Sequence, residues 1–154
     1  MLLLETPSGL VEACGKTLIW QPIKGPRQHF SLPERIISLC PCPGTQNSIS
    51  SIIIFGISGL YLRIALPSLI TLDSCRLDIV PSDSMIVHSG GQGFLLLIHE
   101  SILCVRKLKS PIIDFNFHQC EEVIKLLHRE GDEILAIHGM KHTRISIQNL
   151  IPLP

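Results

Sequence analysis

Short apolar strands that close on a turn recur along this chain at nearly constant spacing, and that period limits the available folds more than any single residue does. The returning strand of each hairpin reads Thr17-Leu18-Ile19-Trp20, Leu60-Tyr61-Leu62-Arg63, Leu103-Cys104-Val105-Arg106 and Ile145-Ser146-Ile147-Gln148. Their last residues are separated by 43, 43 and 42 positions. A repeat of this length is one supersecondary unit that cannot bury its own apolar face, so neighbouring units must stack.

The period falls within the roughly 40–45 residues of a four-stranded propeller blade. The fold expected is therefore all-β, a partial β-propeller of about four blade-like units at 1–32, 33–73, 84–117 and 121–154. In the first unit Leu10–Ala13 and Thr17–Ile23 form the hairpin, with an outer strand at Gln28–Leu32. In the second, Arg35–Leu39 stops at Cys40-Pro41-Cys42-Pro43-Gly44, Ser51–Phe55 pairs with Leu60–Leu66, and Ser68–Leu72 supplies the outer strand. The third runs Ser84–His88, Phe94–Ile98, Ile102–Leu108 and Ile112–Phe117. The segment Glu121–Glu130 suits a strand better than a short amphipathic helix, and Ile134–Ile137 with Thr143–Ile147 closes the last hairpin, which lacks an outer strand. Turns are expected at 14–16, 56–59, 99–101 and 138–142.

Composition supports a packed chain, since 45% of its residues are hydrophobic and only 17% charged. Thirteen basic residues balance thirteen acidic ones, so no net field draws in nucleic acid or an anionic membrane, and neither is expected as a direct partner. Arg106-Lys107 with Lys109 reads as a solvated strand end. Cysteines at 14, 40, 42, 75, 104 and 120 accompany a start with no basic region, in which Glu5 follows Met1-Leu2-Leu3-Leu4. Reduced thiols in the nucleus or cytoplasm are the expectation. An alternative reading is a small membrane protein with a spanning segment at 49–72, a stretch whose only charge is Arg63. The β-branched residues and the breaks at Gly56, Gly59 and Pro67 favour two strands and a turn instead.

Candidate chemistry is sparse. His138 and His142 stand four apart, as metal-binding histidines do on a helix, but Gly139 places them in a turn. Cys40 and Cys42, with His118 and Cys120, allow a four-ligand zinc site, which makes a zinc-binding module or metal-dependent enzyme the second alternative. The string Gly90-Gly91-Gln92-Gly93 leads into an apolar strand, not into a helix that could hold a phosphate, and Ser101 near His99 has no acid partner. No catalytic, cofactor or metal residue is assigned, no cofactor is expected, and the chain is expected not to be an enzyme. Trp20 reads as a packed residue of the repeat before it reads as an interface anchor.

Ile36-x-x-Leu39 leading to Pro43-Gly44, the four hairpins, and Trp20-Gln21 and Gln148-Asn149 at the WD position resemble the WD-repeat β-propellers over nearly the whole chain. No unit carries the Trp-Asp pair or the Gly-His signature. Further strings resemble the C-terminal propellers of the partner-and-localiser family associated with the breast-cancer type 2 susceptibility protein. These are Ala13-Cys14 followed by Trp20, His29-Phe30 before Pro33, Pro41-x-Pro43, Leu60–Ile64, and Ile145-x-Ile147-x-Asn149-Leu150. That resemblance implies a nuclear scaffold of DNA repair by homologous recombination, and it carries over no binding residue. The expected function is protein–protein interaction, through loops at Lys16, Ile57, Ser58, His99, Glu100, Met140, Lys141 and His142 gathered on one rim. The partners expected are other proteins, the remainder of a larger propeller, or a second copy of the chain.

Overall fold

The computed structural model describes residues 2–43, 49–89, 92–108, 115–118 and 123–150. Among them, four antiparallel sheets follow one another along the chain. The first holds β1 (Leu2–Thr6), β2 (Gly9–Cys14), β3 (Thr17–Pro22) and β4 (Gln28–Ser31). The second holds β5 (Ile36–Pro43), β6 (Ile49–Gly56), β7 (Leu60–Ala65) and β8 (Thr71–Arg76). The third holds β9 (Asp83–Ser89), β10 (Gln92–His99), β11 (Ile102–Lys107) and β12 (Phe115–His118). The fourth holds β13 (Val123–Glu130), β14 (Glu133–His138) and β15 (Lys141–Ser146), and α1 (Ile147–Leu150) follows it. Every sheet is a meander in which strands adjacent in sequence pair antiparallel.

The chain divides into two compact units, Met1–Val80 and Pro81–Pro154. In the first, the inner faces of two sheets share one core, in which Val11, Ala13, Leu18 and Trp20 meet Ile36, Ile52, Ile54, Leu62 and Ile64. Trp20 is 1% exposed, so the sole tryptophan is a packing residue. In the second unit Phe94, Leu96, Ile98, Leu103 and Val105 pack with Leu126, Ile134, Ala136, Ile147 and Leu150.

Several expectations need correction. The apolar start of the chain is itself a strand, β1, paired from Leu2 with Ala13 to Thr6 with Gly9. The strand β5 does not stop at Cys40 but runs on to Pro43; it lies at the edge of its sheet, where proline is tolerated. The outer strand of the second sheet begins at Thr71, not Ser68. The chain first turns through Ala65–Ile70, where the Ala65 amide donates to the Ile70 carbonyl (2.8 Å) and the Leu69 amide to that of Ala65 (2.9 Å). The last strand ends at Ser146, because the amide of Ile147 donates to the Asp132 carbonyl (2.9 Å) and α1 buries Ile147 and Leu150.

At 123–130 the strand reading holds. Two register shifts along β13 explain why its apolar spacing imitates a helix. Residues 49–72 do not form a spanning helix: that segment is β6, β7 and the start of β8, and no described helix is long and apolar enough to cross a membrane. Gly90, Gly91, Lys109, the 112–114 part of the third outer strand, and Cys120 lie outside the described residues.

Candidate functional site

Each candidate loop is the closing turn of a hairpin. Cys14 pairs with Thr17 around Gly15 (φ 59°) and Lys16, and Phe55 pairs with Tyr61 around Gly56–Gly59. His99 pairs with Ile102 around Glu100 and Ser101, and His138 with Lys141 around Gly139 (φ 61°) and Met140. Two-residue hairpins favour glycine or asparagine because their twist demands positive φ. Glu100 (φ 50°) and Ser101 (φ 64°) hold that conformation without glycine, which marks this turn as strained and exposed.

In the first unit the linker between sheets ties two turns together. Leu32 donates its amide to the Lys16 carbonyl (2.8 Å) and Ile36 to that of Gly15 (2.8 Å), while the Ile57 amide donates to the Arg35 carbonyl (2.9 Å). Lys16 and Ile57 therefore flank one short stretch of chain. A cleft of about 400 Å³ lies there, lined by Leu2, Ala13, Gly15, Arg35, Ile36, Ile37 and Ile57. Ile57 is 52% exposed, unusual for an isoleucine at a turn tip.

Ser58 is held from beneath by Glu34. The Ser58 amide donates to Glu34 Oε2 (2.6 Å) and its hydroxyl to Oε1 (2.8 Å), and Arg76 Nη1 reaches the same carboxylate (2.9 Å) and donates to the Ser58 carbonyl (3.1 Å). Burial pushes the Glu34 carboxyl up, but these donors and the Arg76 charge outweigh it and bring its pKa from 4.5 to about 2. A Cβ at Gly56 would meet the Glu34 side chain, which would have to move aside. At Gly59 (φ 100°) a Cβ would stand 2.6 Å from the Leu77 carbonyl oxygen. Glu34, Arg35 and Arg76 were not among the candidates read from the sequence. The paired glycines of the 56–59 turn were the one signal that something packs against it.

In the second unit, β9 and β13 run in the same direction. Asp83 Oδ2 accepts the Leu126 amide (2.7 Å), and farther along Arg129 Nη1 donates to the His88 carbonyl (2.7 Å). Asp83 lies opposite Ile98, beside the 99–101 turn, and Val123 opposite His138, beside the 139–140 turn. Both turns thus share one end of the unit. There His99 Nε2 stands 4.0 Å from Glu100 Oε1, Met140 is fully exposed, and Lys141 and His142 are exposed. The candidates Lys16, Ile57 and Ser58 gather in the first unit, and His99, Glu100, Met140, Lys141 and His142 at one end of the second.

No group of three or more His, Cys, Asp or Glu side chains among the described residues could hold a metal ion, and Cys120 of the zinc reading lies outside those residues. Cys40 and Cys42 are buried strand residues of β5, and His138 ends β14 while His142 is the second residue of β15, so the two do not share a helix. Tyr61 presents a fully buried hydroxyl with no hydrogen-bond partner among the described residues. Burial, reinforced by Asp73, pushes that phenol up and keeps it protonated.

No protein family and no curated protein matches the chain. Among solved structures it is similar to a dihydro-heme d1 dehydrogenase, NirN, in complex with DHE, with a TM-score of 0.66 and 12% identity over 92% of this chain. The chain spans about a third of that protein's length, 33%. The expectation that this chain is not an enzyme has to be corrected. It rested on the blade-like repeat, and a solved protein of propeller fold is a dehydrogenase, so the repeat gives no ground for excluding catalysis. The likeness is one of fold, and it makes this chain an all-β protein whose antiparallel sheets follow one another as in a β-propeller.

Proposed function

We propose that the chain is part of a β-propeller that holds other proteins, and that it does so at the turn ends of its sheets. The observation that carries this reading is the linker at 32–36, which fixes the Lys16 and Ile57 turns around one cleft and leaves an isoleucine half in solvent. Rigid sheets that hold exposed apolar tips in place are the usual basis of loop-borne recognition. The strained Glu100–Ser101 turn and the fully exposed Met140 support the same role for the second unit. A photo-crosslinking side chain placed at Ile57 or Met140, against one at Lys24, tests it in cells. Discrete protein adducts at Ile57 and Met140 and none at Lys24 are expected. Equal labelling at all three positions contradicts the proposal.

The finer reading is a WD-like scaffold of homologous recombination in the nucleus, which rests on the resemblance of the short strings and hairpins. It predicts that the tagged chain collects at sites of DNA breakage in the nucleus. Uniform cytoplasmic signal after damage would remove it.

A further inference from the structure

The cleft in the first unit has a floor and a rim of different chemistry. Leu2, Ile37 and Ile57 bring aliphatic side chains to its lining, while Ala13 and Ile36 are buried beneath it. Arg35 lines the same cleft and is exposed, and Lys16 stands next to Gly15 on its margin, also exposed. The neighbouring carboxylate cannot neutralise them, because Glu34 is already held by Ser58 and Arg76. Among the described residues no carboxylate pairs with Arg35 or Lys16. The strands on either side, β1 and β5, are the edge strands of their sheets and lie close to each other. Two cations that no described carboxylate pairs, beside a cleft with aliphatic side chains in its lining, fit an extended segment that brings negative charge and an aliphatic side chain together.

Resting on the function proposed above, we infer that this cleft takes an extended acidic peptide segment of a partner protein, with an Asp or Glu within two residues of a Leu, Ile or Val. The carboxylate meets Arg35 with help from Lys16, and the aliphatic side chain enters between Leu2, Ile37 and Ile57. A basic segment is repelled, and a purely apolar one leaves the cations unpaired.

Selection of a displayed random-heptapeptide library on the full chain, followed by titration of the enriched peptides, tests the inference. Enriched sequences should carry the acidic–aliphatic pair, and replacing their carboxylate by the amide should weaken binding about tenfold or more, the effect of losing one charge-assisted hydrogen bond. Arg35→Gln should cause a similar loss. Lys24→Gln should cause none, and both variants should keep the thermal unfolding of the parent chain. Neutral or basic enriched peptides that ignore Arg35→Gln would overturn the ligand chemistry while leaving a binding role at the turn ends intact. Absence of any enriched peptide, or displacement of the acidic peptides by a single-stranded oligonucleotide, would overturn it as well. Failure of the turn-end reading itself would show separately, as uniform crosslinking.

Discussion

The second sheet and the first sheet share one core yet obey different rules. In β6, Ile52, Ile53, Ile54 and Phe55 are all 0% exposed, and Tyr61 across from Phe55 is equally buried, so the second sheet is covered on both faces. In β2 and β3 buried Val11, Ala13, Leu18 and Trp20 alternate with half-buried Leu10, Glu12, Ile19 and Gln21, so the first sheet hides one face only. A strand buried on both sides loses the period-two signature and reads as a continuous apolar run. This is why Ile49–Leu72 imitated a membrane span. The same contrast holds between the third sheet, where Leu95, Leu96 and Leu97 are all 0% exposed, and the fourth, where buried Ile134 and Ala136 alternate with half-buried Leu135 and Ile137.

The largest expected effect sets these two environments against each other. Ile53→Asp should prevent stable folding, since an unpaired buried carboxylate costs several kcal/mol, whereas Ile19→Asp should cost about 1 kcal/mol or less. Thermal unfolding of both variants measures the difference, and equal losses would show that the second face of the second sheet is not covered. Gly59→Ala comes next, at roughly 2–3 kcal/mol, because it adds a Cβ against the Leu77 carbonyl at a φ of 100°. The matching change in the first sheet, Gly15→Ala (φ 59°), meets open space and should cost only about 1 kcal/mol.

Smaller than the Gly59 effect is that of the linker carboxylate. The folded pKa of Glu34, about 2, lies below its ordinary 4.5, so its contribution is complete above pH 4.5 and disappears as pH falls toward 2. Glu34→Gln should therefore cost roughly 1–2 kcal/mol at neutral pH and almost nothing at pH 2. Chemical denaturation at the two pH values checks this, and a loss independent of pH would mean that the Ser58 and Arg76 contacts do not use the charge. The smallest effect belongs to the outward face of the first sheet. Leu3→Ser, at a position 59% exposed, should stay within about 0.5 kcal/mol by the same assay.

The hairpins were legible because each turn sits between apolar strands and three of the four contain glycine. The 43-residue spacing survives in the structure until its last member, where the repeat continues as α1 and Gln148 leaves the strand. No strand was assigned at Leu2–Thr6, because its pairing with β2 leaves no local signal. Of the site, Lys16 and Ile57 were readable as turn residues. Glu34, Arg35 and Arg76 were not, because their roles depend on the linker folding back over two turns. No local pattern encodes that approach, and only the glycines at 56 and 59 hint at a close neighbour.

Hydrogen–deuterium exchange on the full chain, with and without an acidic peptide recovered by selection, tests the turn-end account most directly. Protection should appear at residues 14–17, 34–37 and 56–59, and the loop at 22–27, beyond the far end of the first sheet, should exchange at an unchanged rate. Protection centred on 22–27, or spread evenly over the first unit, would contradict it.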